Sequence, residues 1–245
     1  MGLFKKSPQK KAEEAYQLFQ QGMAAYKRND FSTCIPAFEK AIELQTEIGQ
    51  TEGELACRYQ LGDIYIKTEN LPRSKMHLQK ALSLADQLNK GVEKADINFM
   101  LGRVLRFSGQ PDQAIPYFQE AVRLCRDHHD NERLPSMLNN LGLAYRHTHN
   151  TSQAQRIYEE ALAVPGIEQN PGMAGVIHNN LAMTFWDMGD SQQSLQHLQQ
   201  ALPLRKQARD LRGAAEMLNN LVAVCQKIGD EAGAQQYSRE LQKLV

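Results

Sequence analysis

The side chains most able to do chemistry in this sequence are histidines, cysteines and carboxylates in short runs. Asp127-His128-His129-Asp130 sets two imidazoles beside two carboxylates, donor types that suit a divalent transition metal. The nearest further imidazoles are His147 and His149. If the chain between them is helical, about 17 residues at about 1.5 Å each hold the two groups roughly 25 Å apart, so they do not form one site. Cys34, Cys57, Cys125 and Cys225 are scattered, with no CxxC pair. That usage fits reduced thiols in a cytoplasmic protein better than a zinc site or a disulfide frame. Neither a GxxxxGK(S/T) nor a GxGxxG loop occurs, and no nucleophile–base pair stands out. The expectation is a protein without metal, cofactor or enzymatic activity.

Recognition chemistry remains. Three asparagine pairs recur, Asn139-Asn140, Asn179-Asn180 and Asn219-Asn220, beside three arginines, Arg103, Arg106 and Arg146, and scattered aromatics. Primary amides both donate and accept, and arginine offers a planar fork to carboxylates. Total charge adds no simple attraction, because 28 Lys plus Arg balance 28 Asp plus Glu. A general nucleic-acid or membrane binder would need a basic excess. No apolar run approaches the roughly 20 residues of a membrane span. The opening residues, MGLFKKSPQKK, lack the apolar stretch of a secretory signal, and Lys6 stands where N-acylation wants Ser or Thr. Residues 1–11 read as a basic tail.

An internal repeat supplies the elements that position these groups. Gly22, Gly62, Gly102 and Gly142 fall 40 residues apart, and the series continues through Ala182 and Val222. Nineteen residues after each anchor stands Ala41, Ala81, Ala121, Ala161, Ala201 or Leu241. Three residues before those stand Phe38, Leu78, Phe118, Tyr158, Leu198 and Ser238. Within a unit the apolar spacing is helical: Met137, Leu138, Leu141, Ala144 and Tyr145 make one stripe. Polar breaks such as Asn29-Asp30, Glu69-Asn70, Gly109-Gln110, Gly189-Asp190 and Gly229-Asp230 suit a left-handed helix end followed by an N-cap. The pattern predicts paired helices near 12–28 and 31–48, 51–68 and 71–88, 91–108 and 111–128, 132–148 and 151–164, 171–188 and 191–208, and 211–228 and 231–244. One repeat array over 12–245 results, with units near 15–54, 55–94, 95–134, 135–174, 175–214 and 215–245.

The motif Leu101-Gly102, Leu105, Gly109, Ala114, Phe118 and Ala121, repeated as Leu141-Gly142, Tyr145, Asn150, Ala154, Tyr158 and Ala161, resembles the tetratricopeptide repeat. That family usually repeats every 34 residues or so. The longer period is similar to the branch found in kinesin light chain and the polarity adaptor Pins, and so is the LNNL run at Leu138–Leu141 and Leu218–Leu221. The resemblance implies an all-α, right-handed superhelical solenoid of six TPR-like hairpins, with the first helices lining a concave groove. Gln21 and Ser238 depart from the pattern in the terminal repeats, where capping is expected.

On each first helix, the residues opposite the Leu-Gly-aromatic stripe are left for another molecule. They include Phe19, Tyr59, Phe99, Tyr26, Ile66, Phe107 and Trp186, which either touch a partner or pack between repeats. The six asparagines share this face at a cost of about 0.6 kcal/mol each in helix propensity. They form an amide ladder for a peptide backbone, or else they record shared ancestry. Lys27, Lys67, Arg103, Arg106, Arg146 and Lys227 stand there against Asp63, Asp96, Asp187 and Glu216. The arginines favour an acidic partner segment. The leading expectation is a non-catalytic adaptor that binds a protein or peptide in its groove. A self-associating scaffold is the alternative, with Leu241 and Leu244 as uncovered end residues. A peptide-sensing regulator is the second, although the repeats leave these 245 residues no room for an added DNA-binding or phosphatase-like helical domain.

Overall fold

The structure, a computed structural model, describes residues 7–244. Among them are twelve α-helices and one short 3-10 helix, and no strand. The helices are α1 (Pro8–Lys27), α2 (Phe31–Ile48), α3 (Thr51–Lys67), α4 (Leu71–Gln87), α5 (Gly91–Phe107), α6 (Pro111–Asp127), α7 (Leu134–His147), α8 (Thr151–Leu162), α9 (Pro171–Asp187), α10 (Ser191–Gln207), α11 (Leu211–Ile228) and α12 (Glu231–Leu244). Odd-numbered helices are the first, or A, helix of each hairpin, and even-numbered ones the second, or B, helix.

The turns explain why the helices stop where they do. Each A helix ends before a residue with positive φ: Asn29, Glu69, Gly109, His149, Gly189 or Gly229. The next residue caps the B helix in most hairpins. Asp30 accepts from the Thr33 amide at 3.2 Å, Asp190 from Gln193 at 3.0 Å, and Asp230 from Gly233 at 2.9 Å. These caps satisfy amides that the helix itself cannot. A left-handed residue also closes four B-to-A turns, at Gly49, Asn89, His129 and Arg209. Helix α1 begins at Pro8, four residues earlier than its apolar pattern indicates, because Ser7 caps the Lys10 amide and proline at the first position needs no partner. Lys10 and Lys11 are therefore helical, and Lys11 pairs with Glu47. Lys5 and Lys6 lie outside the described residues.

Packing divides the chain into two units, residues 1–124 and 125–245, with the boundary inside α6. In the first, Ala25, Phe38, Ala41, Cys57, Leu61 and Tyr65 join the first two hairpins in one core. A second core there runs from Leu55 and Leu78 to Ile97 and Leu101. In the second unit, Ala182, Leu198, Ala201, Leu218 and Leu221 form the core, and Leu241 and Leu244 pack half-buried against it.

The glycine series answers to a close helix crossing. A Cβ added at Gly22, Gly102 or Gly142 would stand 2.7, 2.6 or 2.6 Å from the ring of Phe38, Phe118 or Tyr158. At Gly62 it would meet Leu78 at 2.4 Å. Each pair is 16 residues apart, and the pairing evolves along the chain: Gly–Phe, Gly–Leu, Gly–Phe, Gly–Tyr, Ala182–Leu198, Val222–Ser238. The aromatic rings stand only opposite glycine, and the largest A-helix residue, Val222, stands opposite the smallest B-helix one, Ser238, as volume conservation in a close-packed layer requires. Ser238 is thus matched by Val222 as well as by its terminal position.

Candidate functional site

The A-helix positions singled out in the sequence engage the next repeat in a regular way. Contacts between residues 41 apart join neighbouring A helices: Tyr26 to Lys67, Asn139 to Asn180, Arg146 to Asp187, Asn179 to Asn220, and Trp186 to Lys227. The asparagine contacts fall near the middle of their helices and the others near the helix ends. An angle argument on one isolated helix misses this, because the following helix sits over part of the face.

The asparagines divide accordingly. Asn139 and Asn180 are buried, and Asn180 Nδ2 donates to Asn139 Oδ1 at 2.7 Å. These two were expected to face the groove; the structure instead tucks them between α7 and α9. Asn220 Nδ2 donates to Asn179 Oδ1 at 3.2 Å, and both are half-buried. Asn140 donates to the Ser136 carbonyl at 2.9 Å and Asn219 to the Ala215 carbonyl at 3.1 Å, which leaves the Asn219 side chain exposed. The amides bridge repeats or bond back to a carbonyl of their own helix, and Asn140, Asn179, Asn219 and Asn220 keep part of their surface open.

The arginines differ as well. In the second unit, Arg146 Nε donates to Asp187 Oδ2 at 2.6 Å, so a carboxylate already answers its charge. In the first unit, the Arg103 guanidinium lies 5.9 Å from the Phe99 ring centre and 5.8 Å from that of Phe107. It makes no ion pair among the described residues. Arg106 lies 4.5 Å from the centre of the same Phe107 ring, which is 48% exposed. Guanidinium stacking on aromatic faces holds these cations in fixed poses at little cost. A cavity of about 580 Å³ opens here, bounded by Ile66, Lys67, Glu69, Leu71, Arg103 and Phe107.

The aromatic row is half core and half surface. Phe19 and Phe99 tilt against Phe38 and Phe118 at 5.8 and 5.9 Å, so one side of each ring belongs to the hairpin interior. Tyr59 packs on the second core and lines a further cavity at the start of α3 and α5. Trp186 lies under the Lys227 ammonium at 4.0 Å. Tyr26 donates to Asp63, accepts from Lys67 and carries the Lys67 ammonium 4.2 Å over its ring. Burial, then the hydrogen bond to Asp63, raises the Tyr26 phenol above its usual range. The charge pattern held a signal for these contacts: Arg146 with Asp187, Tyr26 with Lys67 and Trp186 with Lys227 share one offset.

The potential metal-binding run has structural duties. His129 takes the left-handed turn position, and Asp130 accepts from the Arg133 amide at 3.0 Å and from Arg133 Nε at 2.6 Å. Among the described residues no group of three or more His, Cys, Asp and Glu is placed to hold a metal. Two imidazoles do meet, His178 and His197, with Nδ1 atoms 3.1 Å apart and Phe185 stacked on His197. Burial, then the neighbouring His197, pushes His178 down to about 4, so the pair is neutral and hydrogen-bonded near pH 7. All four cysteines are buried and unbridged, and burial pushes the Cys57 thiol up to about 12. Among the described residues no helix is long and apolar enough to cross a membrane.

Family profiles described as tetratricopeptide repeat match residues 93–165 and 173–244, and another of that description matches 55–88. These matches cover more than half of the sequence, and the chain belongs to the tetratricopeptide repeat family. No curated protein matches it significantly by sequence. Its fold is similar to that of RapI in its apo form, with a TM-score of 0.78 at 13% identity over 94% of this chain and 98% of that one. The kinesin light chain TPR-like repeats of Podosopora anserina give a TM-score of 0.65 at 15% identity over 78% of this chain and 93% of that one. The Rap conjugation gene regulator of plasmid pLS20, solved with a Phr peptide, gives 0.62 at 17% identity over 94% of this chain and 63% of that one.

Proposed function

We infer that this chain is a non-catalytic protein-interaction adaptor whose A-helix face holds an extended or helical peptide segment bearing acidic residues. The observation that carries this reading is Arg103: a half-buried guanidinium, stacked on Phe99 and the exposed Phe107, with no carboxylate partner among the described residues. A cation held this way is preorganised for a carboxylate that arrives on another molecule. The rings and the adjoining cavity offer apolar burial beside it. The similar fold of the pLS20 regulator, solved in complex with a Phr peptide, supports a peptide as the ligand class. Arg106, Tyr59 and Phe99 supply further contacts in the first unit; on the second unit the open surfaces of Asn140, Asn179, Asn219 and Asn220 are contact candidates by themselves. In the second unit, Trp186 adds an apolar anchor, while Arg146 contributes only by sharing Asp187. Four buried free thiols suit a reducing compartment such as the cytoplasm.

Fluorescence anisotropy with a labelled peptide of sequence Asp-Asp-Phe flanked by Gly-Ser tests the reading. Arg103→Glu should weaken binding on the order of a hundredfold, the range of a desolvated charge pair turned repulsive. Equal affinity for wild type and variant would reject it.

A further inference from the structure

The A-helix face of the first unit carries two cavities whose linings differ in charge. One is the cavity of about 580 Å³ beside Arg103 and Phe107, at the C-terminal ends of α3 and α5, where Lys67 and Arg103 outnumber Glu69. The other, of about 350 Å³, lies at the N-terminal ends of the same helices. Its apolar wall is Ala56 and Tyr59, backed by the buried Leu55 and Ile97. Around that wall three carboxylates, Glu52, Glu93 and Asp96, stand against one ammonium, Lys90. Lys90 pairs with Glu52 at 2.9 Å, so the lining as a whole stays negative. An acidic ligand alone would satisfy only one of these two places.

The spacing sets the length of what could satisfy both. From Asp96 to Phe107 along α5 is about 16 Å at about 1.5 Å per residue. An extended peptide rises about 3.3 Å per residue, so about five residues bridge the cavities. A lysine or arginine suits the negative one, because its aliphatic stem can lie along the half-buried Ala56 and Tyr59 while its cation faces the Tyr59 ring and the carboxylates.

We propose that this face takes a dipolar peptide segment, with an acidic residue at Arg103 and Phe107 and a basic residue about five positions away in the cavity of Tyr59, Glu93 and Asp96. The proposal rests on the reading that this face binds a peptide, and it adds the segment's polarity and spacing. Both ends bound at once make the second contact intramolecular, which sharpens selection for the correct spacing.

Three labelled peptides test it by anisotropy: Asp-Asp-Phe with a Gly-Ser tail, the same with Leu-Arg about five residues on, and the same with Leu-Arg about ten residues on. Each is made in both sequence directions. The five-residue dipolar peptide should bind about tenfold more tightly than the acidic-only one in at least one direction. The ten-residue spacer should lose most of that gain. Glu93→Gln with Asp96→Asn, changes mild enough to keep α5 folded, should bring the ratio of dipolar to acidic-only affinity close to one. An acidic-only peptide that binds and responds to Arg103→Glu, with no gain from the basic residue, would overturn the dipolar assignment and leave the face as a binding site. Failure of every peptide to bind would overturn both.

Discussion

Gly102→Ala places a methyl group 2.6 Å from Phe118 Cε1 and within 2.8 Å of two further atoms of that fully buried ring. Overpacking of this kind costs about 1–3 kcal/mol, and three short contacts on a ring with no room to turn put the cost near the top of that range. Replacing glycine inside a helix returns about 1 kcal/mol of propensity, so the net loss is about 1–2 kcal/mol. Phe118→Leu alone removes buried volume and should cost a similar amount. Together the changes recreate the Ala182–Leu198 pairing of the fifth hairpin, whose two side chains are fully buried. The double variant should therefore be more stable than the sum of the single effects by about 1 kcal/mol or more. Urea unfolding followed by circular dichroism measures the cycle, and amide exchange in α5 and α6 assigns the loss locally if the repeats unfold separately. Because Phe99 leans on Phe118, Gly102→Ala should also weaken acidic-peptide binding. Additivity within about 0.3 kcal/mol would refute the claim that the glycine series exists to admit large B-helix side chains.

Other outcomes follow from the polar contacts. Asn139→Ala leaves the buried Asn180 amide without its acceptor and should cost about 1–3 kcal/mol, whereas exposed Asn219→Ala should stabilise by about 0.6 kcal/mol through propensity. Equal effects in thermal melts would contradict the division of the asparagines. Arg209 adopts a φ of 56°, so Arg209→Gly should raise the melting temperature by an amount equivalent to about 1 kcal/mol, and a lower one would count against strain there. His77 and His178 both titrate near 4 rather than 6.5, for which burial is the main cause, helped at His77 by Arg58, Lys80 and Arg73. Between about 6.5 and 4 the unfolded chain binds protons that the folded chain refuses, so stability is full above that window and falls as pH drops through it. His77→Phe with His178→Phe should flatten the fall, and an unaltered pH dependence would argue against it.

Much of the fold was legible because its signals repeat. The 40-residue period, the cap residues and the left-handed turn positions recur in register, and most helix ends expected from them lie within a residue or so of those observed. The start of α1 was hidden because Ser7-Pro8 is a cap set inside a basic run that shows no apolar stripe. Helix α8 closes at Leu162, before a connection with its own 3-10 turn at Ile167–Gln169. The proposed binding face was legible only in part. Helical angles put Arg103 and Phe107 off the core stripe, and both keep exposed surface, since that is decided by each residue's own helix. They did not show that Asn180 reaches back to Asn139 or Asp187 to Arg146, because those contacts depend on how far the next helix is displaced. The acidic cavity at Tyr59 was missed for a like reason: Glu52 and Glu93 come from helix starts that the stripe analysis left out.

Hydroxyl-radical footprinting of the protein with and without the acidic peptide tests the placement of the ligand most directly. Phe107 and Met76 are comparably exposed, at 48% and 44%, but Phe107 lies on an A helix beside Arg103 and Met76 on the B helix α4. Saturating peptide should protect Phe107 and leave Met76 oxidising at its free rate. Protection of Met76 with Phe107 unchanged would move recognition to the B-helix side and contradict the account.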